Sequence, residues 1–103
     1  MSEFESVLQT PDLGPGQSRE VEVRGRHILL LNIGQIYYAL EAHCPETGTA
    51  LEVASNLHLV CPDHEAEYET PSGEPVDGHG RALRRYAIRV EGNTIKVGPP
   101  LEA

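Results

Sequence analysis

The chain has 103 residues, of which 39% are hydrophobic and 23% are charged, and its 16 acidic and 8 basic side chains give a formal net charge of −8. This length allows one domain with a single core, and the acidic balance argues against a nucleic-acid partner. The longest strongly apolar run, Ile28–Leu31, is too short to cross a bilayer, and no basic-then-apolar leader opens the sequence. We therefore expect a cytoplasmic protein without a membrane segment.

The first third of the chain is typical of short β-strands. Residues 1–16 predict an edge strand and then a turn-rich connection, because an apolar start is followed by four glycines and prolines. Val21 and Val23 alternate with charged residues, which predicts a strand with one wet face. A tight turn is expected at Gly25-Arg26, and the run 27–33 is apolar enough to be buried on both faces.

Two hairpins are predicted in the rest of the chain. Gly34-Gln35 separates the run 27–33 from the aromatic and aliphatic residues 36–40, and Glu91-Gly92-Asn93 separates two alternating segments before a short tail after Pro99-Pro100. No segment has a helical period longer than about two turns. We predict an all-β, antiparallel sandwich or small barrel in one domain spanning 1–103. Its base is formed by about 1–41 and 82–103, and about 42–81 forms a smaller subdomain at one end.

Both cysteines of the chain begin short loops that carry further donor atoms. Cys44-Pro45-Glu46 and Cys61-Pro62-Asp63-His64 each offer a thiolate and a second donor two or three residues later. The proline after each cysteine fixes one backbone dihedral and favours a rigid turn. A disulfide is disfavoured in the cytoplasm. The pattern therefore favours a metal site on two loops, with buried structural thiols as the alternative.

This arrangement resembles the Rieske-type ferredoxin family, in which loops of the form Cys-x-His and Cys-x-x-His hold a [2Fe–2S] cluster, with cysteines on one iron and histidines on the other. Three further segments resemble the family: 47–51 after the first loop, 68–75 after the second loop, and 83–93 as the closing hairpin. The resemblance covers most of the chain from about Gly25 onward. It implies a Rieske-like fold in which the subdomain binds the cluster through Cys44, Cys61 and His64.

The sequence departs from the family pattern at three places. Glu46 stands where the first loop carries histidine, and the segment from there to Cys61 is slightly short. Glu65 stands where glycine usually follows the second loop. The third loop, which in the family contains proline and covers the cluster, reads Asp77-Gly78-His79-Gly80.

The sequence therefore leaves several candidates for the fourth ligand. Glu46 is in register with the missing histidine, and it is either a ligand of ferric iron or a solvated loop residue. His43 and His79 are alternatives. An extended chain would point His43 away from the Cys44 thiolate, which favours a nearby backbone partner for His43, and His79 in the third loop either reaches the metal or is exposed.

Other polar residues of this region are expected to face water. His58 alternates with two leucines and should point away from them into solvent. Glu65, Glu67 and Glu69 alternate in the same way and predict a solvated acidic face.

The resemblance implies an electron carrier that passes single electrons from a reductase to an oxygenase or similar terminal enzyme and has no substrate of its own. The net negative charge of the chain suits redox partners with a basic docking face. No glycine-rich phosphate loop or nucleophile elbow is present to suggest an enzyme. Two alternatives stay open: a cluster-free Rieske-fold structural or binding subunit, which the three departures favour, and a mononuclear metal site on the same loops.

Overall fold

A computed structural model describes residues 3–63, 66–78 and 80–101. Strands and one 3-10 turn are the regular elements in these ranges. In chain order they are β1 (Glu5–Gln9), the 3-10 turn (Thr10–Asp12), β2 (Ser18–Val23), β3 (Arg26–Ile33), β4 (Ile36–Glu41), β5 (Glu52–Val53), β6 (Leu59–Val60), β7 (Glu67–Tyr68), β8 (Arg85–Glu91) and β9 (Thr94–Pro100). None of the described residues forms a helix long and apolar enough to span a membrane.

The strands form two antiparallel sheets of unequal size. The larger has six strands in the order β1-β9-β8-β4-β3-β2, and the smaller has three in the order β5-β6-β7. The edge strands β1 and β2 of the larger sheet also contact each other, so this sheet curls almost into a closed barrel. The predicted all-β, small-barrel architecture is confirmed.

The strand β3 is buried on both faces, as its continuous apolar run predicts. Ile28 and Leu30 point into the barrel core with Ile95 and Val97, while Leu29 and Leu31 point into a second core shared with the smaller sheet. Full burial of one such side chain stabilises the fold by about 1.5–3 kcal/mol. Thus β3 joins the barrel to the small sheet that carries the cysteine loops.

One turn differs in detail from the prediction. The turn between β2 and β3 lies at Arg24-Gly25, where both residues have positive φ, one position before the expected Gly25-Arg26. The last strand runs through Pro99 and Pro100, where the predicted tail begins. Because β1 pairs with β9 only as far as Val97, the prolines remove no hydrogen bond from the β1–β9 ladder.

Candidate metal centre

The first loop is a tight turn closed by its own backbone. The N–H of Cys44 donates to the carbonyl of Thr49 at 2.8 Å, and the N–H of Gly48 donates back to the carbonyl of Cys44 at 2.8 Å. Gly48 has a φ of +76°, which an L side chain rarely adopts. The loop therefore holds Cys44 at a fixed position immediately after the sheet.

The second loop begins where β6 ends and returns into β7. The N–H of Cys61 donates to the carbonyl of Ala66 at 2.8 Å, which closes the hairpin across the loop. Side chains of the first loop reach this second loop: the Thr49 hydroxyl donates to the Asp63 carboxylate, and the Thr47 hydroxyl lies 3.5 Å from the Cys61 sulfur. The two loops are thus held against each other.

Both cysteines are buried, form no disulfide bond and are part of the same core. Cys44 is 2% exposed and Cys61 is fully buried. They lie in the core between β3, β4 and the small sheet, together with Leu59 and Tyr68. The structure therefore brings one thiol from each loop into a single dry region.

Tyr68 lies in contact with this pair of thiols. The pKa of Tyr68 is raised to about 12. Burial is the largest cause, followed by the charge of Cys44, a hydrogen bond with Cys44, and the charges of Glu46 and Cys61. A hydrogen bond that raises the pKa of a phenol is one in which the hydroxyl donates. The Tyr68 hydroxyl therefore donates to the Cys44 sulfur, and each cysteine sulfur has one hydroxyl neighbour.

Glu46 lies at the mouth of the same region, beside the third loop. Its side chain is exposed, and a Cβ placed on Gly80 would be 3.4 Å from its Oε2 atom. Its charge acts on Tyr68 together with the two cysteines. The in-register carboxylate of the first loop therefore faces both the third loop and the thiol region.

The remaining candidate ligands have different positions. His64 and His79, like Glu65, lie outside the described residues. The His43 ring nitrogen Nε2 lies 3.2 Å from the Glu20 carboxylate, so this side chain is engaged with β2. Its partner is a carboxylate and not the backbone group that the sequence favoured.

His58 also has a partner that the alternating pattern missed. Its Nδ1 atom lies 2.6 Å from the Glu67 carboxylate, on the neighbouring strand of the small sheet. The pKa of Glu67 is lowered by this hydrogen bond. The expectation that His58 points into solvent is correct only in part, because its side chain is 27% exposed and strand pairing places it against Glu67.

An ion pair ties the end of the third loop to the barrel. Arg81 donates through two nitrogens to the two carboxylate oxygens of Glu41, at 3.0 Å each, and the N–H of Arg84 donates to the same carboxylate at 2.9 Å. Burial alone would raise the pKa of Glu41, but the hydrogen bonds from Arg81 and Arg84 outweigh it and hold the pKa below its usual range. Glu41 therefore stays ionised and anchors the loop to the end of β4.

Replacing Glu41 by glutamine is expected to destabilise the fold by about 1–2 kcal/mol at neutral pH, since charge-assisted hydrogen bonds are lost from a partly exposed pair. A lowered carboxyl pKa stabilises the folded state above the ordinary glutamate pKa, and this contribution disappears as pH falls through the lower, folded-state value. Denaturant unfolding at pH 7 and at pH 3 should therefore show a difference between wild type and Glu41→Gln that shrinks in acid.

The matched control for that measurement is Glu91→Gln. Glu91 pairs with Lys96 at 2.8 Å on the exposed β8–β9 hairpin, and removing an exposed pair has little effect. Equal losses in the two variants, or a Glu41→Gln effect that does not depend on pH, would contradict the proposed anchor.

The donor set fits the thiolate half of an iron–sulfur site. Two buried thiols from two rigid loops, each with a hydroxyl beside its sulfur, provide the cysteine ligands and the hydrogen bonds that such sites use. In the first loop, Glu46 stands at the position where the family pattern has histidine. The residues present are therefore compatible with a cluster.

Solved structures of the same fold include proteins of similar length. The ferredoxin of carbazole 1,9a-dioxygenase from Nocardioides aromaticivorans IC177 aligns with a TM-score of 0.82 and 23% identity, over 95% of this chain and 99% of that chain. A ferredoxin chain from a complex of reduced oxygenase and oxidized ferredoxin in carbazole 1,9a-dioxygenase aligns with a TM-score of 0.78 and 20% identity, over 97% of this chain and 98% of that chain. These two alignments cover nearly all of both chains.

The same fold also occurs as part of a larger protein. The terminal oxygenase of carbazole 1,9a-dioxygenase from Novosphingobium sp. KA1 aligns with a TM-score of 0.83 and 18% identity, over 98% of this chain but 31% of that chain. No curated protein sequence matches the chain. The sequence model of the Rieske [2Fe-2S] domain, however, matches residues 3–87. With this match and its paired cysteine loops, the chain belongs to the Rieske [2Fe–2S] domain family, whose cofactor is a [2Fe–2S] cluster.

Proposed function

We propose that the protein is a one-electron carrier whose cluster is held by Cys44, Cys61, His64 and Glu46. The observation that carries this proposal is the meeting of two buried thiols from separate loops around Tyr68, with the Glu46 carboxylate acting on the same tyrosine. When bound, a [2Fe–2S] cluster takes up and releases one electron at a time. The chain does not turn over a substrate of its own.

Cys44, Cys61 and Glu46 are not gathered around one point that a single ion could occupy. Within residues 3–63, 66–78 and 80–101, the donor trio whose atoms all lie within 4.8 Å of one another consists of Glu20, His27 and His43. The spacing of Cys44, Cys61 and Glu46 therefore suits ligands divided between two irons, which need no common point.

The residues around the thiols control their charge and their access to water. Burial of both cysteines keeps solvent from the sulfurs. The hydroxyl of Tyr68 remains protonated at physiological pH, because its pKa is about 12, and it stays a donor to Cys44. Donation to a thiolate withdraws charge from the sulfur and favours the reduced state. Tyr68 and Thr47 therefore raise the reduction potential, while the extra negative charge of Glu46 lowers it.

The charge of the chain is concentrated around this site. Residues 42–81 contain eight carboxylates and one arginine, a formal charge of −7 out of −8 for the whole chain. Such a surface steers encounters with a basic face on a partner. The aligned ferredoxins belong to a dioxygenase system, and one comes from a complex with its oxygenase. This supports a role in which electrons from a reductase pass to an oxygenase-type acceptor through the acidic, loop-bearing end.

Electron transfer from the reduced protein to cytochrome c, a small basic acceptor, tests this role. We expect the second-order rate to fall by about tenfold or more as ionic strength rises from roughly 0.01 to 0.5 M, because the Debye length shrinks from about 30 Å to less than 10 Å. Stopped-flow absorption of the acceptor measures the rate. A failure to pass electrons at any salt concentration would contradict the carrier function.

Paired charge reversals locate the docking surface. Glu74→Lys lies in the acidic stretch, while the control Glu5→Lys makes the same change on β1 of the barrel. The first should slow transfer at low salt by several-fold, and the second should change it little. Equal effects of the two variants would remove the acidic end as the docking surface.

A further inference from the structure

Three metal-ligating side chains that are not among the proposed cluster ligands meet on the surface of the barrel. Glu20 lies on β2, His27 near the start of β3 and His43 just after β4. The Glu20 Oε2 atom is 3.0 Å from His27 Nδ1 and 3.2 Å from His43 Nε2. The donor atoms of all three residues lie within 4.8 Å of one another.

The register of three strands creates this trio. Glu22 pairs with His27 across β2 and β3, so Glu20, two residues away, points to the same face as His27. The N–H of Ala42 donates to the carbonyl of His27 at 3.1 Å, which extends the β3–β4 ladder and places His43 beside the same residue. The two imidazole rings are stacked, with centroids 4.4 Å apart and planes 10° from parallel. The backbone therefore fixes the three Cα positions, and only side-chain torsions remain adjustable.

We propose that Glu20, His27 and His43 form a binding site for a borderline divalent transition-metal ion such as Zn²⁺. Zinc binds imidazole nitrogen and carboxylate oxygen at about 2.0–2.2 Å, so neighbouring ligand atoms in a tetrahedral site lie roughly 3.4 Å apart. The separations of Glu20 from the two histidines, 3.0 and 3.2 Å, already approach this value. The site is completed when the rings tilt out of their stack so that both nitrogens face the ion.

The exposure of the three side chains permits this rearrangement. Their exposed fractions are 48% for His27, 39% for Glu20 and 32% for His43. The rings can therefore turn without disturbing the core, and water can fill the remaining coordination position. Two imidazoles and one carboxylate without sulfur select Zn²⁺, Cu²⁺ or Ni²⁺ over Mg²⁺ or Ca²⁺, which prefer all-oxygen sites. The proposed site rests on none of the observations that support the electron-carrier role.

Calorimetric titration of the intact protein with Zn²⁺ tests the proposal. The wild type should bind one Zn²⁺ per chain with an affinity that falls at least tenfold in Glu20→Gln and in His27→Asn, since each removes one of three ligands. His58→Asn is the matched control, because His58 also has a carboxylate neighbour, Glu67 at 2.6 Å, but forms no such trio with a second imidazole among the described residues. That variant should bind Zn²⁺ as the wild type does.

Co²⁺ serves as a visible probe that separates this site from the cysteines. Nitrogen and oxygen ligands give only d–d bands, whereas thiolates add a strong near-ultraviolet charge-transfer band. We expect a cobalt spectrum without the thiolate band, and its loss in His27→Asn. Zn²⁺ affinity that is unchanged in both Glu20→Gln and His27→Asn would overturn the proposal, as would a cobalt spectrum carried by sulfur alone.

Discussion

Replacing either cysteine by serine is expected to remove the cluster completely. Cys44 and Cys61 are the two thiols of the chain, and a neutral serine hydroxyl is a poor substitute for a thiolate on iron. Iron per chain and the visible absorption should therefore fall to background in Cys44→Ser and in Cys61→Ser. This is the largest single-residue effect that the structure predicts.

The barrel should survive both substitutions. Its core is built from residues such as Leu30, Ile95 and Val97 and contains neither cysteine, so far-ultraviolet circular dichroism should retain the β-sheet signal while the small sheet loosens. Val53→Thr is the matched control, because it adds a hydroxyl at constant volume to a half-buried side chain that packs on the cysteine-containing core. Iron retained in both serine variants would exclude the two-loop site. Iron lost equally in Val53→Thr would assign the loss to core disruption.

Replacing Glu46 by histidine is expected to raise the reduction potential by roughly 50–150 mV. A carboxylate ligand adds one negative charge that stabilises the ferric state, and removing such a charge from a partly exposed site is worth about 1–4 kcal/mol, or roughly 59 mV for each 1.4 kcal/mol in a one-electron couple. A second ligand imidazole also adds an ionisation, so the potential should depend on pH through two groups instead of one. Redox titration across pH measures both effects.

The control for this prediction is Glu52→His, which removes an exposed carboxylate from β5 of the same subdomain. It should shift the potential much less, because solvent screens its charge. A cluster that is retained in Glu46→Ala but lost in His79→Ala would make His79 the fourth ligand, and loss in His43→Ala would do the same for His43. If the wild type contains no cluster and Glu46→His assembles one, the chain is a cluster-free member of the family.

The sequence predicted most of the barrel because the signals for strands and turns each act over a few neighbouring residues. The uninterrupted apolar run in β3 predicts burial on both faces, which the structure shows. Gly34-Gln35 between two apolar runs predicts a hairpin, and both residues have the positive φ that such a two-residue turn requires. The position of two prolines inside β9 could not be explained in this way. It depends on where β1 stops pairing, which is a property of a strand at the other end of the chain.

Predictions for the site divide in the same way: local sequence patterns found some of its residues, while contacts between distant segments were missed. The Cys-Pro spacing and the resemblance to a family predicted that Cys44, Cys61 and Glu46 belong to one region. The hydrogen bond of Tyr68 to Cys44 was missed, although the alternation that predicts an outward face for Glu67 and Glu69 also places Tyr68 on the inward face. The Glu20, His27 and His43 trio has no local signature, because its members come from β2, β3 and the residues just after β4, which only the fold brings together.

One measurement tests most directly whether this chain carries single electrons on a cluster held by its two cysteine loops. Iron and acid-labile sulfide are measured in protein purified without air, and the same sample is then titrated with a reductant. We expect two irons and two sulfides per chain and a one-electron reduction. Iron without sulfide, or neither element, would contradict the claim.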